Sequence, residues 1–242
     1  MTTPSSGCCS RREFLAAAGV TTASLGAITS APASEPQAVV PQPNPGQQRL
    51  FGLKFPPMDR VRVGFIGVGG RGSSLLGNLL DIEGVEIRAV CDVVPDRVKA
   101  AQQRVAAKGQ PEPAGYAKGE TGYEGLCRRE DVDLVYIATP WDWHVPMAVC
   151  AMRQGKHVAI EVPAAMTLDE CWQLVDTAEQ TRRHCLMLEN CCYGEIELLV
   201  LRMARQSVFG DLTHAEAGYL HEARDYLLQN ADSAIWRRRF VS

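Results

Sequence analysis

A glycine-rich turn directly after an apolar strand is the feature that most constrains how this chain can fold. Residues 67–72 read Gly-Val-Gly-Gly-Arg-Gly and follow the apolar run 61–66. Glycines in such a turn let the backbone bend tightly and approach a pyrophosphate, whose charge is met by the N-terminus of the next helix. The sequence therefore predicts a strand–turn–helix dinucleotide site whose turn is lined by Gly67, Gly69 and Gly72.

Asp92 is the acidic residue that this kind of turn requires, about 20 residues further along the chain. It follows the apolar run 85–91, at a strand tip where a carboxylate can accept both hydroxyls of a ribose. Its charge disfavours a 2′-phosphate, and Val93 and Val94 offer no cation to hold one, so NAD is predicted in preference to NADP. The alternative is that Asp92 only caps the following helix, in which Pro95 suits the first turn.

Apolar strands alternate with helices over residues 59–190. A parallel sheet covered on both faces typically has strands that are almost wholly apolar and are separated by helices. The predicted fold class is therefore α/β, a doubly wound parallel Rossmann sheet in a domain spanning 59–190. A loop rich in glycine and proline is expected over 109–119. We predict strands over 61–66, 85–91, 134–138, 157–161 and 184–189, and helices over 72–80, 95–108, 123–129, 144–154 and 168–182.

A cluster with two tryptophans follows the strand predicted over 134–138. It contains Trp141, Trp143 and His144, at the carboxyl edge where open parallel sheets bind their ligands. The tryptophans can equally wedge the next helix in place, and His144 can equally be a helix cap. The position at a strand tip favours contact with the adenosine or nicotinamide of the cofactor.

A second domain begins after residue 190. The pattern predicts a helix over 195–206 and then, from alternating residues over 212–221, a strand of a new sheet. Residues 191–242 are too few for an independent substrate domain, so we expect only the beginning of an α+β domain here, with the chain truncated within it.

The first 58 residues are predicted to form an export signal and a linker. Arg11 and Arg12, followed by an apolar stretch to about residue 28 and by Ala31-Pro32-Ala33, are typical of a twin-arginine signal peptide over 1–33. The stretch is shorter than the roughly 20 residues that cross a membrane, which disfavours a membrane anchor. Residues 34–58 are rich in proline and are expected to form an extended linker. The expected location is periplasmic or extracellular, and export of the folded protein lets bound NAD travel with it.

Charge and cysteine content exclude several classes of partner. A net charge of -3 and a pI near 6.0 give no basic field for nucleic acid or an anionic membrane, so a small-molecule partner is expected. Of the nine cysteines, Cys8 and Cys9 lie in the predicted signal and most of the other seven in predicted elements. No C-x-x-C pair is present, and adjacent Cys191 and Cys192 cannot both face one metal from a regular element. We expect no metal site and mostly buried thiols.

Several segments resemble the glucose-fructose oxidoreductase/inositol dehydrogenase superfamily over about residues 60–220. They are the strand and glycine turn, Ala138-Thr139-Pro140 with His144, and Gly155-Lys156-His157-Val158. The strand after these usually ends in Glu-Lys-Pro in that superfamily, whereas this chain has Glu161-Val162-Pro163. Without that lysine, no group remains there to relay the proton from an oxidised hydroxyl. Glu-Val-Pro-Ala-Ala, Leu188 to Tyr193 and Met203 to Gln206 instead resemble glycoside hydrolase family 109, known for α-N-acetylgalactosaminidase activity.

The resemblance to family 109 implies a set of binding residues. It implies that Tyr219 and Arg237 contact the sugar, although Arg238 and Arg239 leave the register at Arg237 open, and Tyr219 can alternatively pack its ring on a sheet. The family's further sugar-binding segments lie beyond Ser242, so catalytic residues are not assigned. The residues implied to contact NAD are Gly70, Arg71, Asp92, Trp141, Asp142, Trp143, His144, Glu161, Val162 and Asn190.

The activity implied by the resemblance is hydrolysis through transient oxidation. NAD oxidises a sugar hydroxyl, the glycosidic substituent leaves by elimination, water adds, and the hydride returns, so that NAD is held throughout. A carboxylate pair of the usual glycosidase kind is not needed. The alternatives are a net NAD-dependent sugar dehydrogenase of the same fold and a non-catalytic dinucleotide-binding fragment; fold alone does not decide. A homo-oligomer is also compatible with the sequence.

Overall fold

Six strands form one parallel sheet. The structure is a computed structural model and describes residues 48–50, 52–218, 220 and 222. The strands are β1 Val61–Ile66, β2 Val85–Cys91, β3 Ala114–Tyr116, β4 Leu134–Ile137, β5 His157–Ile160 and β6 Cys185–Met187. Their order is β3-β2-β1-β4-β5-β6, and every pairing is parallel. This is the strand order of the doubly wound dinucleotide-binding fold.

In the part of the chain that the structure describes, six α-helices lie between and after the strands. They are α1 Gly70–Leu80, α2 Pro95–Ala107, α3 Gly122–Cys127, α4 His144–Arg153, α5 Leu168–Thr181 and α6 Glu195–Arg205. Short 3-10 turns cover Gly119–Thr121, Trp141–Trp143 and Asn190–Tyr193. Helix α5 starts with a capping box, in which the Thr167 hydroxyl accepts from the Glu170 backbone and the Glu170 carboxylate accepts from the Thr167 backbone.

The core consists of two apolar layers, one on each face of the sheet. Val63 and Phe65 of β1 pack with buried residues of α1 and α2, whereas Ile66 packs with α3, α4 and α5. Phe65 stacks on Tyr136 of β4 with ring centroids 4.7 Å apart. Helices on both faces explain why nearly every strand residue is apolar. The predicted α/β class with a doubly wound parallel sheet is confirmed.

Two predictions about strands were wrong. Strand β3 lies inside the segment predicted as the loop 109–119; with only three residues, it is too short for a hydrophobic pattern. The strand predicted over 212–221 is absent where the structure describes it, since residues 212–218 are exposed and without regular structure. Alternation marks two faces, but a strand also needs a hydrogen-bonded neighbour, and none of the described strands pairs with this segment.

The cysteines are less buried than predicted. All seven in the described residues are free thiols; Cys91 and Cys127 are buried, whereas Cys171, Cys191 and Cys192 are exposed. Cys171 lies on the solvent side of α5, and the adjacent pair lies in the 3-10 turn after β6. Among the described residues, no cluster of three or more His, Cys, Asp or Glu could hold a metal ion. None of the helices in these ranges is long and apolar enough to cross a membrane. The predicted signal peptide and most of the linker lie outside the described residues.

Candidate dinucleotide-binding site

The carboxyl ends of four neighbouring strands bring most of the candidate residues to one edge of the sheet. Gly67 follows β1, Asp92 follows β2, Ala138 follows β4 and Glu161 follows β5. Because all strands are parallel, these ends meet at the same edge. Between β1 and β4 the strand order reverses direction, and in open parallel sheets the ligand binds in the crevice at this point.

The glycine turn fits close to its neighbours and leaves open space on its outer side. Gly67 has φ +88°, and a Cβ there would lie 2.6 Å from the Ala138 carbonyl oxygen. A Cβ at Gly72 would overlap the Gly67 carbonyl, whereas one at Gly70 would meet nothing within 4 Å. Helix α1 begins here with Gly69 at its N-cap and no acidic residue in its first turn. The free backbone N–H groups and positive helix end therefore suit a pyrophosphate.

Asp92 is held between the glycine turn and the start of α2. It is 8% exposed. Its Oδ2 accepts from the Val68 backbone at 2.9 Å, and its Oδ1 accepts from the Val94 backbone at 3.0 Å. Because its Oδ2 also bonds to the glycine turn, Asp92 is not only a cap of the following helix, whose N-cap residue Val94 makes no side-chain bond. Each carboxylate oxygen keeps lone-pair capacity for a further donor such as a ribose hydroxyl, and that contact stays a prediction.

Arg97 is a site residue that the sequence reasoning missed. Its Nη1 lies 3.8 Å from Asp92 Oδ1, and a Cβ at Gly69 would be 3.5 Å from the same nitrogen. Val93 and Val94 are the residues next to Asp92 in the sequence, but the helix that starts at Pro95 brings the side chain of Arg97, in its first turn, back towards the acid. The signal that could have revealed it is an arginine in the first turn after the strand-tip aspartate.

Arg71 and Glu161 form an ion pair across the site edge. The Arg71 Nη2 and Nε lie 3.1 and 3.3 Å from Glu161 Oε1. Arg71 is half-exposed at the start of α1, whereas Glu161 is buried. Beneath them, burial and then the negative charge of Glu161 raise the pKa of Tyr136 to about 12. The Tyr136 hydroxyl therefore keeps its proton at neutral pH.

The tryptophan cluster forms a 3-10 turn, Trp141–Trp143, between β4 and α4. The Trp143 ring is half-buried against the core, edge-on to Tyr123 with centroids 6.3 Å apart. This packing supports the wedge interpretation for Trp143. Trp141 is half-buried and Asp142 is exposed at the same edge. The cofactor contacts implied for this segment stay predictions.

His144 joins two loops of the site from a fully buried position. It is 1% exposed and is the first residue of α4, whose N-cap is Trp143. Its Nδ1 is 2.7 Å from the Pro163 carbonyl oxygen, and its Nε2 is 2.9 Å from that of Thr139. A carbonyl oxygen can only accept, so each of these bonds requires a hydrogen on the ring nitrogen that faces it. The ring thus fixes the loop after β4 to the loop after β5.

The remaining candidates are less connected to this edge. Val162 is half-buried and precedes Pro163 through a cis peptide bond. Asn190 is exposed at the start of the turn after β6, with its Nδ2 3.8 Å from Cys191 Sγ. Tyr219 and Arg237 lie outside the described residues, so their roles stay predictions.

An apolar cavity of about 550 Å³ lies between α5 and the strands β5 and β6. Leu174, Ala178 and Cys185 are among its lining residues, and none of the candidate cofactor residues lines it. It lacks the few convergent polar groups that orient a cofactor. The edge built by the glycine turn, and not this cavity, is therefore the candidate dinucleotide site.

Comparison with protein families agrees with this assignment. The oxidoreductase family with an NAD-binding Rossmann fold matches residues 61–189, and the C-terminal domain of glycosyl hydrolase 109 matches residues 193–237. The resemblance found in the sequence and the prediction of NAD as cofactor are both confirmed.

Individual relatives point the same way. The chain is 48% identical over 230 residues to a glycosyl hydrolase family 109 protein of Shewanella pealeana, covering 94% of this chain and 50% of the relative. It is 45% identical over 228 residues to an alpha-N-acetylgalactosaminidase of Shewanella oneidensis, with the same two coverages of 94% and 50%. The chain thus spans about half the length of these relatives. Among solved structures, the WlbA dehydrogenase of Chromobacterium violaceum with NADH and UDP-GlcNAcA is similar in fold, with a TM-score of 0.56 and 24% identity over 65% of this chain and 44% of that one.

Proposed function

The chain belongs to the oxidoreductase family with an NAD-binding Rossmann fold, and we propose that it is the NAD-binding part of a glycosidase that acts on α-N-acetylgalactosaminides. The proposal combines the dinucleotide edge described above with the family 109 match that begins at residue 193. A sugar or glycan is the proposed small-molecule partner.

The observation that carries the proposal is the residue that follows Glu161. Valine stands at 162, where related sugar dehydrogenases carry lysine, and its apolar side chain can neither hold nor move a proton. The neighbouring ionisable groups are occupied: Glu161 pairs with Arg71, and the Tyr136 hydroxyl keeps its proton. Position 162 therefore cannot supply the proton relay of the lysine-bearing sugar dehydrogenases, and in either reaction the group that takes the proton of the oxidised hydroxyl has to come from elsewhere.

Bound NAD supplies a reversible hydride acceptor, so that a transiently oxidised sugar can lose its glycosidic substituent by elimination, take up water and be reduced again. The chain's own residues bind and orient the cofactor. The N–H groups at Gly70 and Arg71 would hold the pyrophosphate, Asp92 would accept from the adenosine ribose, and His144 fixes the loop after β4 to the loop after β5. Tight retention of the cofactor is required because no net reduction occurs.

A chimera tests the proposal. Residues 1–190 of this chain are fused to the remaining half of the Shewanella oneidensis enzyme and incubated with a chromogenic α-N-acetylgalactosaminide, without added NAD. The expected result is release of the leaving group with no accumulation of NADH absorbance. In D₂O, the product should carry deuterium at the carbon next to the oxidised one, because elimination removes its hydrogen.

Other outcomes separate the alternatives. Stoichiometric NADH would identify a net sugar dehydrogenase. Hydrolysis without deuterium incorporation would contradict the oxidation–elimination route. A chimera that binds NAD but is inactive on the glycoside and produces no NADH would support a dinucleotide-binding protein without catalysis. The matched control places lysine at position 162 (Val162→Lys), which should not increase glycoside hydrolysis.

We also propose export of the folded protein by the twin-arginine route to the periplasm or beyond. The support is the pair Arg11 and Arg12 before a modestly apolar stretch. Replacing both with lysine should retain the protein in the cytoplasm, whereas Arg60→Lys, in the folded part, should not. The mass of the exported protein, measured by mass spectrometry, should be larger under native than under denaturing conditions by the mass of one NAD. Continued export of the double-lysine variant would refute the route.

A further inference from the structure

Arg97 places a cation at the adenosine end of the dinucleotide site. It lies in the first turn of α2, half-exposed, with Nη1 3.8 Å from Asp92 Oδ1. The same nitrogen would be 3.5 Å from a Cβ on Gly69. The guanidinium therefore extends across the opening between the strand-tip acid and the glycine turn, the two features that define where the adenosine ribose and the pyrophosphate bind.

This position is where a 2′-phosphate would lie. In this fold the strand-tip acid binds the ribose 2′-hydroxyl, so a phosphate on that hydroxyl would come within reach of a cation about 4 Å from the Asp92 carboxylate. A guanidinium matches phosphate oxygens with paired donors and is charged at any working pH. The Arg97–Asp92 pair is weakly held, because its separation exceeds hydrogen-bonding distance and Arg97 is half-exposed. Arg97 can therefore exchange Asp92 for another anion at little cost.

We propose that Arg97 is a specificity-determining residue of the dinucleotide site, and that the site has a latent capacity for NADP. With Asp92 present, its charge repels a 2′-phosphate and Arg97 is partly neutralised by the carboxylate, so NAD is chosen. With the carboxylate removed, Arg97 binds the 2′-phosphate. The two residues thus act in opposition, and the ratio of NADP to NAD affinity depends on both.

Calorimetric titration of NAD and NADP tests this with four proteins: the unmodified chain, Asp92→Ser, Arg97→Ala and the double variant. Asp92→Ser should raise the ratio of NADP to NAD affinity at least about tenfold, the factor given by a difference of about 1.4 kcal/mol. The double variant should lose most of that gain. Lys99→Ala, an exposed lysine of the same helix, removes the same charge and should leave the ratio unchanged in the Asp92→Ser background.

A second comparison keeps the test decisive if Asp92→Ser does not fold. In the unmodified background, Arg97→Ala should weaken NADP binding severalfold more than NAD binding. The proposal is overturned if the double variant prefers NADP as strongly as Asp92→Ser does, if Lys99→Ala has the same effect as Arg97→Ala, or if Arg97→Ala weakens both dinucleotides equally.

Discussion

The backbone N–H of Val68 donates a hydrogen bond to the carboxylate of Asp92 at 2.9 Å, and both residues are buried. The acid that follows β2 is therefore also the group that holds the glycine turn after β1. One side chain links two strand ends, and the position of the turn depends on it as much as on its own glycines. Asp92 thus has a structural task in addition to the ribose contact expected of it.

Asp92→Ala should weaken NAD binding by about 1–3 kcal/mol, the usual loss when a hydrogen bond to a charged group is removed. The reason is twofold: the ribose loses its acceptor, and the Val68 N–H loses its partner. Isothermal titration with NAD measures the change. Asp96→Asn, at an exposed position of the following helix, is the matched control and should bind NAD normally. An unchanged affinity in Asp92→Ala would reject the role of Asp92.

His144→Leu should reduce both the free energy of unfolding and the affinity for NAD. Leucine fills the buried space but leaves the carbonyl oxygens of Thr139 and Pro163 without donors, each at a cost of about 1–3 kcal/mol. Urea denaturation and NAD titration measure the two effects. His214→Leu, at an exposed histidine, should leave both unchanged.

The geometry of His144 also predicts a spectroscopic signature. In ¹⁵N-labelled protein, a ring N–H of His144 should exchange slowly with solvent, because both ring nitrogens face carbonyl oxygens at 2.7 and 2.9 Å in the buried interior. The signal should be absent from His144→Leu. Exchange as fast as that of an exposed histidine would mean that neither bond to a carbonyl oxygen is made.

The fold was largely predictable from the sequence, because each long strand is a nearly continuous apolar run. The bounds of β1 and β2 agree with prediction at both ends, since a polar or glycine residue follows directly. Strand β3 was missed because three residues carry no measurable periodicity. The glycine turn and Asp92 were predictable because their spacing is fixed by the strand–turn–helix unit itself.

The contacts within the site were less predictable. The bond from His144 to Pro163 joins residues on different strand–helix units, and nothing in the local pattern of either indicates the other. Arg97 was missed for a related reason, since the turn between Asp92 and α2 had to be known before its side chain could be placed. Sequence patterns gave the edge at which the candidates gather, whereas the pairs formed there follow from tertiary packing.

The exposed apolar residues of helix α6 predict that copies of this chain associate with one another. Its apolar residues recur at helical spacing, and Ile196, Leu199 and Val200 are 67%, 52% and 48% exposed. Contiguous exposed apolar surface of this kind favours association in water. Sedimentation velocity should show a dependence of oligomeric state on protein concentration. Leu199→Lys should reduce this self-association, whereas Gln206→Lys, which adds the same charge just after the helix, should not. A chain that stays monomeric at all concentrations would contradict the prediction.

The contacts of His157 predict that the folded protein loses stability in mild acid. The His184 backbone N–H donates to its Nδ1 at 3.1 Å, and the rings of Phe55 and His184 lie 4.4 and 5.3 Å away. Burial first, and then the charges of Arg183 and His184, lower the pKa of His157, while Asp133 opposes them. Protonation of His157 would place a hydrogen on its Nδ1, which faces the His184 N–H, so that two donors would oppose each other.

The sign of the effect follows from the lowered pKa. As pH falls through the ordinary histidine value of about 6.5, the unfolded chain takes up the proton before the folded one does. The free energy of unfolding should therefore be level above that pH and fall below it, until the folded protein is protonated as well. Urea denaturation between pH about 7.5 and about 5 measures this slope. His157→Gln keeps a side-chain acceptor for the His184 N–H and should flatten the slope, whereas His214→Gln at an exposed position should not. If His157→Gln loses stability with falling pH as steeply as the unmodified chain, another group controls it.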